Sequence, residues 1–429
     1  MTTVQPREQP WYHLVTGPQP AVLVVPGSLL FTLDEDAFAA LDRGEPDALA
    51  ELRSYTPPAR VESGELPPVT ALSLNVAQAC NMSCAYCYAD EGRFHGAARL
   101  MQKGIAFRGI DSLIANAAGQ MVTIGFIGGE PFLNRALLHQ CVDYARAAAG
   151  RAGIAVRFSV TTNATMLQEE DLRLLRENRF AVTISIDGGP SRNRHRRLRS
   201  GRESAAAAVS GIAPLLADPG EARIAARATV TRDDLDVAGR LAWLRELGFE
   251  EAGVAPVRTS PRPELILREE NWPVFLENMI AASRIELDRV ELGGQPFFSN
   301  LWVALREIHR GAARPLPCGS AASYLSLDAT GRYYSCHRTI GEPGFSMGSL
   351  EDGADAAARR DFFKSHHVDM QEPCASCWAR YLSGGGCHAE VAATGRSGCD
   401  YIRGWLDHCL RTYLDVAERH PRLLARGDR

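Results

Sequence analysis

Between Thr70 and Val257 strand-like and helix-like segments alternate six times, and this rhythm constrains the fold more than any other feature of the chain. The strands read as "TALSLNVA", "MVTIGFIGG", "IAVRFSVTTN", "FAVTISIDGG", "ARIAARATVT" and "EEAGVAPV". Between them run helical patterns such as "GIAFRGIDSLIANAAG", "RALLHQCVDYARAAAG" and "DLDVAGRLAWLRELG". The helix "QEEDLRLLREN" opens with acidic residues, which complement a helix N-terminus. Such alternation implies an α/β fold, a parallel sheet with helices packed outside it. Six units fit either a partial (β/α) barrel or an open doubly wound sheet. Both place ligands at the carboxyl ends of the strands.

The flanks differ in texture. Residues 1–64 read as a small α+β unit, with "AVLVV" and "SLLFTL" as strands and "DEDAFAALDRG" as a helix closed by Gly44. The Pro-rich "YTPPARVESGELPPV" reads as a linker. Residues 65–310 hold the repeating units. Residues 311–429 are irregular and rich in cysteine, apart from a hairpin in "SYLSLDATGRYYSCHR" and a terminal helix in "YIRGWLDHCLRTYLDVAER". A net charge of −4 does not suggest a nucleic-acid binder. No apolar run has the length of a membrane span, and the N-terminus lacks the basic and apolar regions of a secretory signal. These features point to a cytoplasmic protein in a reducing compartment.

Eleven cysteines therefore need a reason other than disulfides. Cys141 lies in an apolar helical pattern and reads as a buried structural thiol. Cys80, Cys84 and Cys87 follow the first strand in a C-x3-C-x2-C pattern. Three thiolates leave one iron of a [4Fe–4S] cluster free of protein ligand, open to a small molecule. A zinc site completed by a distant side chain is the competing reading. The second strand ends in "IGGEP", where Gly128 and Gly129 permit close backbone approach and Glu130 suits an ammonium group.

With these residues the chain resembles the radical S-adenosylmethionine superfamily. The resemblance implies a partial (β/α)6 barrel. It implies that the open iron binds the methionyl part of S-adenosylmethionine, whose cleavage yields a 5′-deoxyadenosyl radical that takes a hydrogen from the substrate. It further implies that Tyr86 packs beside the adenine, and that Gly128, Gly129 and Glu130 contact the methionyl amine. Asn163, Ser185, Asp187 and Arg227, at later strand ends, would touch the cofactor's ribose and carboxylate, although each also suits a strand-end cap. "SRNRHRRLRSGR" holds six arginines. Because the chain has only two lysines, Lys103 and Lys364, the stretch reads as ordinary arginine usage rather than an anion patch. Arg196 matches an arginine of related enzymes, and Asn193 replaces an acid.

The late cysteines resemble the SPASM extension of peptide-modifying radical enzymes, which carries two auxiliary [4Fe–4S] clusters. The resemblance assigns Cys318, Cys336 and Cys387 to one cluster. It assigns Cys374, Cys377 and either Cys399 or Cys409 to the other. Ser383 stands where the family has a cysteine, and a hydroxyl is a poor iron ligand beside thiolates. His337 and Arg338, directly after Cys336, could tune the cluster assigned to Cys318, Cys336 and Cys387 or contact substrate. No catalytic residue beyond the cluster is assigned. The expected function is hydrogen abstraction from a ribosomally made precursor peptide, followed by a carbon–carbon or thioether cross-link. The expected partners are that peptide, its leader docked by β-addition on the N-terminal unit, and an electron donor such as flavodoxin or ferredoxin. The alternatives are a formylglycine-type maturase of a protein Cys or Ser, and a non-catalytic zinc-ribbon binding module.

Overall fold

The computed structural model describes residues 10–56, 66–311 and 313–425. They form two compact units. One is made of Leu66–Asn271 and Gly319–Phe362, the other of Met1–Glu65, Trp272–Cys318 and Phe363–Arg429.

The first unit is built on the strands Ala71–Gln78, Val122–Gly128, Val156–Thr162, Ala181–Ser185, Arg223–Val230 and Glu251–Pro256. Each is parallel to the one before it and hydrogen-bonded to it. A doubly wound sheet reverses its strand order at a switch point; here the order runs straight through. Right-handed crossovers then put every helix on the same face. The result is a partial (β/α)6 barrel, and the choice left open by the sequence is resolved. A seventh strand, Tyr324–Leu327, lies parallel to the first. It turns through Asp328 into the antiparallel Arg332–Tyr334. The Asp328 carboxylate fixes that turn by accepting from the backbone N–H groups of Thr330 at 2.8 Å and Arg332 at 2.9 Å.

Side chains alternate across each strand. Leu72, Leu74, Ile124, Phe126, Phe158, Val160, Val182 and Ile184 are buried against the helices. The helix Lys103–Ala115 approaches so closely that a methyl at Gly109 would sit 2.5 Å from Leu327 Cδ2. The same methyl would lie 3.6 Å from the Cδ2 atoms of Leu72 and Leu74. Ser73 and Asn75 therefore face the other way, into the barrel. There Ser326, Ser73, Gly125, Ser159 and Ala181 stand side by side in register, with Thr183 beside Ala225 and Ser185 beside Arg227. A closed barrel fills its interior with branched apolar side chains. Rows of Ser, Gly, Ala and Thr do not, and they leave the inner wall free to meet a ligand.

In the second unit, an antiparallel sheet of Tyr12–Val15, Ala21–Val24 and Leu29–Thr32 packs on the helices Glu35–Asp42 and Pro46–Ser54. Val22, Val24, Leu41 and Leu52 form its core. The Asp34 carboxylate caps the first of these helices at the Ala37 N–H, 2.8 Å away. Residues 1–9 of the N-terminal unit and 57–65 of the linker lie outside the described residues. The helices Ser299–His309 and Cys399–Arg419 bury Leu301, Trp302, Leu305, Trp405 and Leu410. The buried Glu286 carboxylate accepts from Phe297 N–H at 2.6 Å and Trp302 Nε1 at 2.7 Å, anchoring the turn into the shorter helix. Among the described residues no helix is long and apolar enough to cross a membrane.

Candidate functional site

The three-cysteine loop leaves the first strand at its carboxyl end. A short strand within it, Met82–Cys84, pairs antiparallel with Arg196–Leu198, setting Cys84 opposite Arg196. The Met82 N–H donates to Cys80 Sγ at 3.3 Å. Burial pushes the Cys80 thiol up to about 12 and the Cys84 thiol up to about 11. The sulfurs of the loop add to this, Cys84 and Cys87 acting on Cys80, and Cys87 on Cys84. Cys80 and Cys84 thus resist ionisation as free thiols and would ionise readily on a cation, with the Cys87 sulfur within electrostatic reach of both. That donor set fits an iron–sulfur cluster. Among the described residues no three His, Cys, Asp or Glu side chains converge closely enough to hold one metal ion, whereas a cubane spreads its thiolates over separate irons.

The glycines of "IGGEP" are required by the loop itself. A methyl on Gly129 would lie 2.2 Å from the Ala79 carbonyl oxygen and 2.8 Å from Cys80 Cβ, and one on Gly128 would lie 2.3 Å from the Ala77 oxygen. Backbone bonds from Gly129 N–H to Ala77 and from Glu130 N–H to Ala79, both 2.9 Å, stitch the two strand ends together. Glu130 is fully buried. Its carboxylate accepts from Thr162 Oγ1 at 2.7 Å, Asn163 N–H at 2.8 Å and Phe132 N–H at 3.2 Å. It braces the turn against the third strand. We expect Gly129→Ala to displace Cys80, costing about 1–3 kcal/mol of stability and a large part of the iron bound at the loop. Denaturant titration and iron analysis of the purified variant check this.

Asn163 joins the same seam. Its Nδ2 donates to Asn81 Oδ1 at 3.0 Å, and its Oδ1 accepts from the Thr165 hydroxyl at 2.6 Å. Tyr86 packs with Val257, Leu265 and Ile266, and its hydroxyl donates to Asp187. Arg196 Nη1 donates to the same hydroxyl at 3.1 Å. All three residues are buried. Burial raises the Asp187 carboxyl, and the Arg196 guanidinium pulls it back. Asp187 also accepts from Thr229 N–H at 2.9 Å, so it ties the loop to the fifth strand. Asn193 Oδ1 accepts from the Asp187 N–H at 3.1 Å, and its Nδ2 donates to Ser204 at 3.1 Å.

The arginine-rich stretch is thus two things at once. Arg196 is an internal cation of the site. Arg192 and Arg194 pair with Asp236 and Asp233, and Arg199 Nε donates to the Cys80 carbonyl at 2.7 Å. Sequence reasoning undervalued the stretch. The available signal was Asp187, an acid closing an otherwise apolar strand and in need of a cation. Ser185 and Arg227 lie next to each other on the inner wall. Arg227 has no hydrogen-bonded side-chain partner among the described residues. Its side chain has access to solvent, yet the surrounding protein removes enough water to lower its pKa.

In the second unit burial raises the Cys374 thiol, Arg396 lowers it, and the sulfurs of Cys399 and Cys377 raise it further. Cys377 and Cys399 thus lie within electrostatic reach of Cys374. Cys409 sits fully buried along the helix that Cys399 begins, its thiol raised by burial alone. Ten residues of helix separate the two by about 15 Å. Ser383 ends a short helix, where its hydroxyl accepts from the Gly385 N–H at 3.3 Å. Gly384, Gly385 and Gly386 all have positive φ, and this run brings the chain to within 4.0 Å of Cys374 Sγ, measured from a methyl placed on Gly385. Cys318 and Cys387 belong to this unit and Cys336 to the barrel unit. In the barrel unit His337 Nδ1 and the Tyr324 hydroxyl are 3.0 Å apart, and that hydroxyl meets Ser73 Oγ at 2.7 Å. Burial lowers the His337 imidazole to about 4.

A family model described as the Radical SAM superfamily matches residues 74–215. The serine-type anaerobic sulfatase-maturating enzyme of Klebsiella aerogenes is 25% identical over 370 residues, covering 81% of this chain and 87% of that protein. The solved structure of anSMEcpe with bound AdoMet superposes with a TM-score of 0.72 at 18% identity, covering 84% of this chain and 97% of that one. Streptococcus suis SuiB bound to precursor peptide SuiA superposes with a TM-score of 0.53 at 12% identity, covering 89% and 94%. Both likenesses extend beyond the barrel. The zinc-ribbon binding module is set aside by these matches. Residues 74–215 match the Radical SAM superfamily model, and over most of its length the chain is similar to a protein named as a maturating enzyme.

Proposed function

We propose that the protein is a maturase that removes a hydrogen atom from a residue of a peptide or protein precursor. The observation that carries this reading is the loop of three half-buried thiols at the carboxyl end of the first strand, beside an inner wall of small polar side chains. When bound, S-adenosylmethionine on a cluster at Cys80, Cys84 and Cys87 supplies reductive cleavage of the sulfonium and hydrogen-atom abstraction, and an auxiliary cluster at Cys374, Cys377 and Cys399 supplies an acceptor for the remaining electron. The chain's own residues do the rest. Gly128 and Gly129 let the second strand close against the loop, and Tyr86, Asp187 and Arg196 hold the loop from below. Ser185 and the Arg227 guanidinium, which feels Glu251 only electrostatically, offer a hydroxyl and a cation to a carboxylate. In this reading residues 65–310 carry the radical chemistry and residues 311–429 the auxiliary clusters. Residues 1–64 would take the precursor's leader, for which the outer strands Tyr12–Val15 and Leu29–Thr32 each offer one edge not used by the three-stranded sheet.

Two outcomes for the substrate radical fit this site. One is closure onto a neighbouring side chain to give a cross-link. The other is oxidation of a Ser or Cys to formylglycine, which the extent of the likeness to the sulfatase-maturating enzyme favours. The test is to incubate anaerobically reconstituted protein with S-adenosylmethionine, a low-potential reductant and candidate precursor peptides, and then add a hydrazine probe. A peptide that loses two hydrogens and takes up no probe has been cross-linked or desaturated. A peptide that takes up the probe carries an aldehyde. Failure to form 5′-deoxyadenosine under any condition overturns the reading.

A further inference from the structure

The first barrel strand buries a polar side chain with nothing to bond to. Asn75 is 0% exposed. Neither its Nδ2 nor its Oδ1 has a hydrogen-bond partner among the described residues. Buried amides are ordinarily paired; of the nearby polar side chains Ser73 and Asn163 are, while at the end of the same strand Gln78 Oε1 has no partner among the described residues. Ser73, on the same face of the same strand, bonds to Tyr324 and to Ser326. Asn163, at the end of the third strand, uses both ends of its amide. A valine or leucine at position 75 would suit the strand better and avoid the loss of hydration.

The surroundings indicate what the amide is kept for. Asn75 pairs in register with Ile127, one residue before the glycine pair. A methyl on Gly128 would lie 3.0 Å from Asn75 Oδ1, so the glycine leaves that oxygen uncovered. The nearby Glu130 carboxylate already accepts from Thr162, Asn163 and Phe132 and offers no donor, so the Asn75 amide adds both an acceptor and a donor beside it. A primary amide presents one acceptor and one donor side by side. The complementary group carries a donor next to an acceptor, as an ammonium beside a carboxylate does. We propose that Asn75 is a positioning residue for the amino-acid end of S-adenosylmethionine, its Oδ1 accepting from the ammonium and its Nδ2 donating to the carboxylate. This inference rests on the radical SAM reading of the site.

The experiment uses the full-length, cluster-loaded protein under anaerobic conditions. Binding of S-adenosylhomocysteine, which keeps the amino-acid end, is compared with binding of 5′-methylthioadenosine, which lacks it. Asn75→Val and Asn75→Leu are expected to weaken S-adenosylhomocysteine about tenfold or more, the loss of hydrogen bonds to charged groups. They should leave 5′-methylthioadenosine within roughly twofold and leave the melting temperature of the ligand-free protein unchanged or higher, because an unpaired amide has been removed. Equal affinity of wild type and variants for S-adenosylhomocysteine overturns the proposal. So does equal weakening of both ligands, or a fall in melting temperature in both variants, which would mean that the amide is held by ordered water and serves the fold. A wild-type protein that binds neither nucleoside overturns the reading of the whole site, and this inference with it.

Discussion

Cys84→Ala is expected to reduce the formation of 5′-deoxyadenosine from S-adenosylmethionine to background and to lower the iron content by about one four-iron cluster. The argument is one of counting and of place. The loop offers three thiols, and a cluster with one open iron needs all of them. Cys84 is also the thiol paired across the ladder from Arg196, so its position is fixed by the backbone, and no other sulfur can take its place without breaking that pair. The control is Cys141→Ala. Cys141 lies fully buried in the helix Arg135–Ala152, its thiol raised to about 12 by burial. Removing it deletes one sulfur from an apolar core and should leave both iron and cleavage intact. Iron analysis and chromatography of the nucleoside product read both variants. Cleavage that persists in Cys84→Ala would remove the loop from the mechanism.

Much of the barrel was legible from the chain because its two periods differ so plainly. Residues that alternate along "VTIGFIG" and "VRFSVTT" cannot be confused with the 3.6-residue period of "RALLHQCVDYARAAAG". The order of the strands was not legible, because a barrel and a doubly wound sheet are written with the same local pattern. The strand pairings decide between them. The cysteine loop could be read from spacing, since its ligands are neighbours in sequence. The sequence left Cys399 and Cys409 equivalent as companions of Cys374 and Cys377; the helix Cys399–Arg419 sets the two about 15 Å apart, and it is Cys399 that lies within electrostatic reach of Cys374. Glycines gave a mixed lesson. The sequence marks Gly128 and Gly129 as points of close approach, and it is the backbone of Ala77 and Ala79 that approaches. Asn75 is the opposite case. It reads as an unremarkable strand residue, and only burial without a partner sets it apart.

Resemblance singled out Arg196 in the sequence, but its burial was not legible there. A chain that places arginine at nearly every basic position gives no compositional sign of the one that is buried. Its importance follows from what surrounds it. Tyr86, Cys84 and Asp187 all lie within its field, and together they outweigh the burial that would otherwise pull its pKa down. Arg196→Met keeps the length and apolar stem of the side chain and removes only the charge and donors. Asp187 would then lose the one cation facing it from the arginine-rich segment, with its carboxylate still enclosed by Tyr86 and the Thr229 backbone. Arg196 and Asp187 are linked through the Tyr86 hydroxyl rather than in direct contact, and leaving a buried carboxylate without its compensating cation costs several kcal/mol, a large fraction of what holds a domain folded. The loss should fall on the cysteine loop first, because the ladder between Met82–Cys84 and Arg196–Leu198 is what docks it. We therefore expect Arg196→Met to unfold at much lower denaturant and to retain little iron. Asp187→Asn combined with Arg196→Met should recover part of the stability, because the unpaired carboxylate goes with its partner. The double-mutant cycle separates the two contributions. If the single and double variants were equally unstable, Arg196 would act through packing alone, and the buried charge pair would not be what secures the loop.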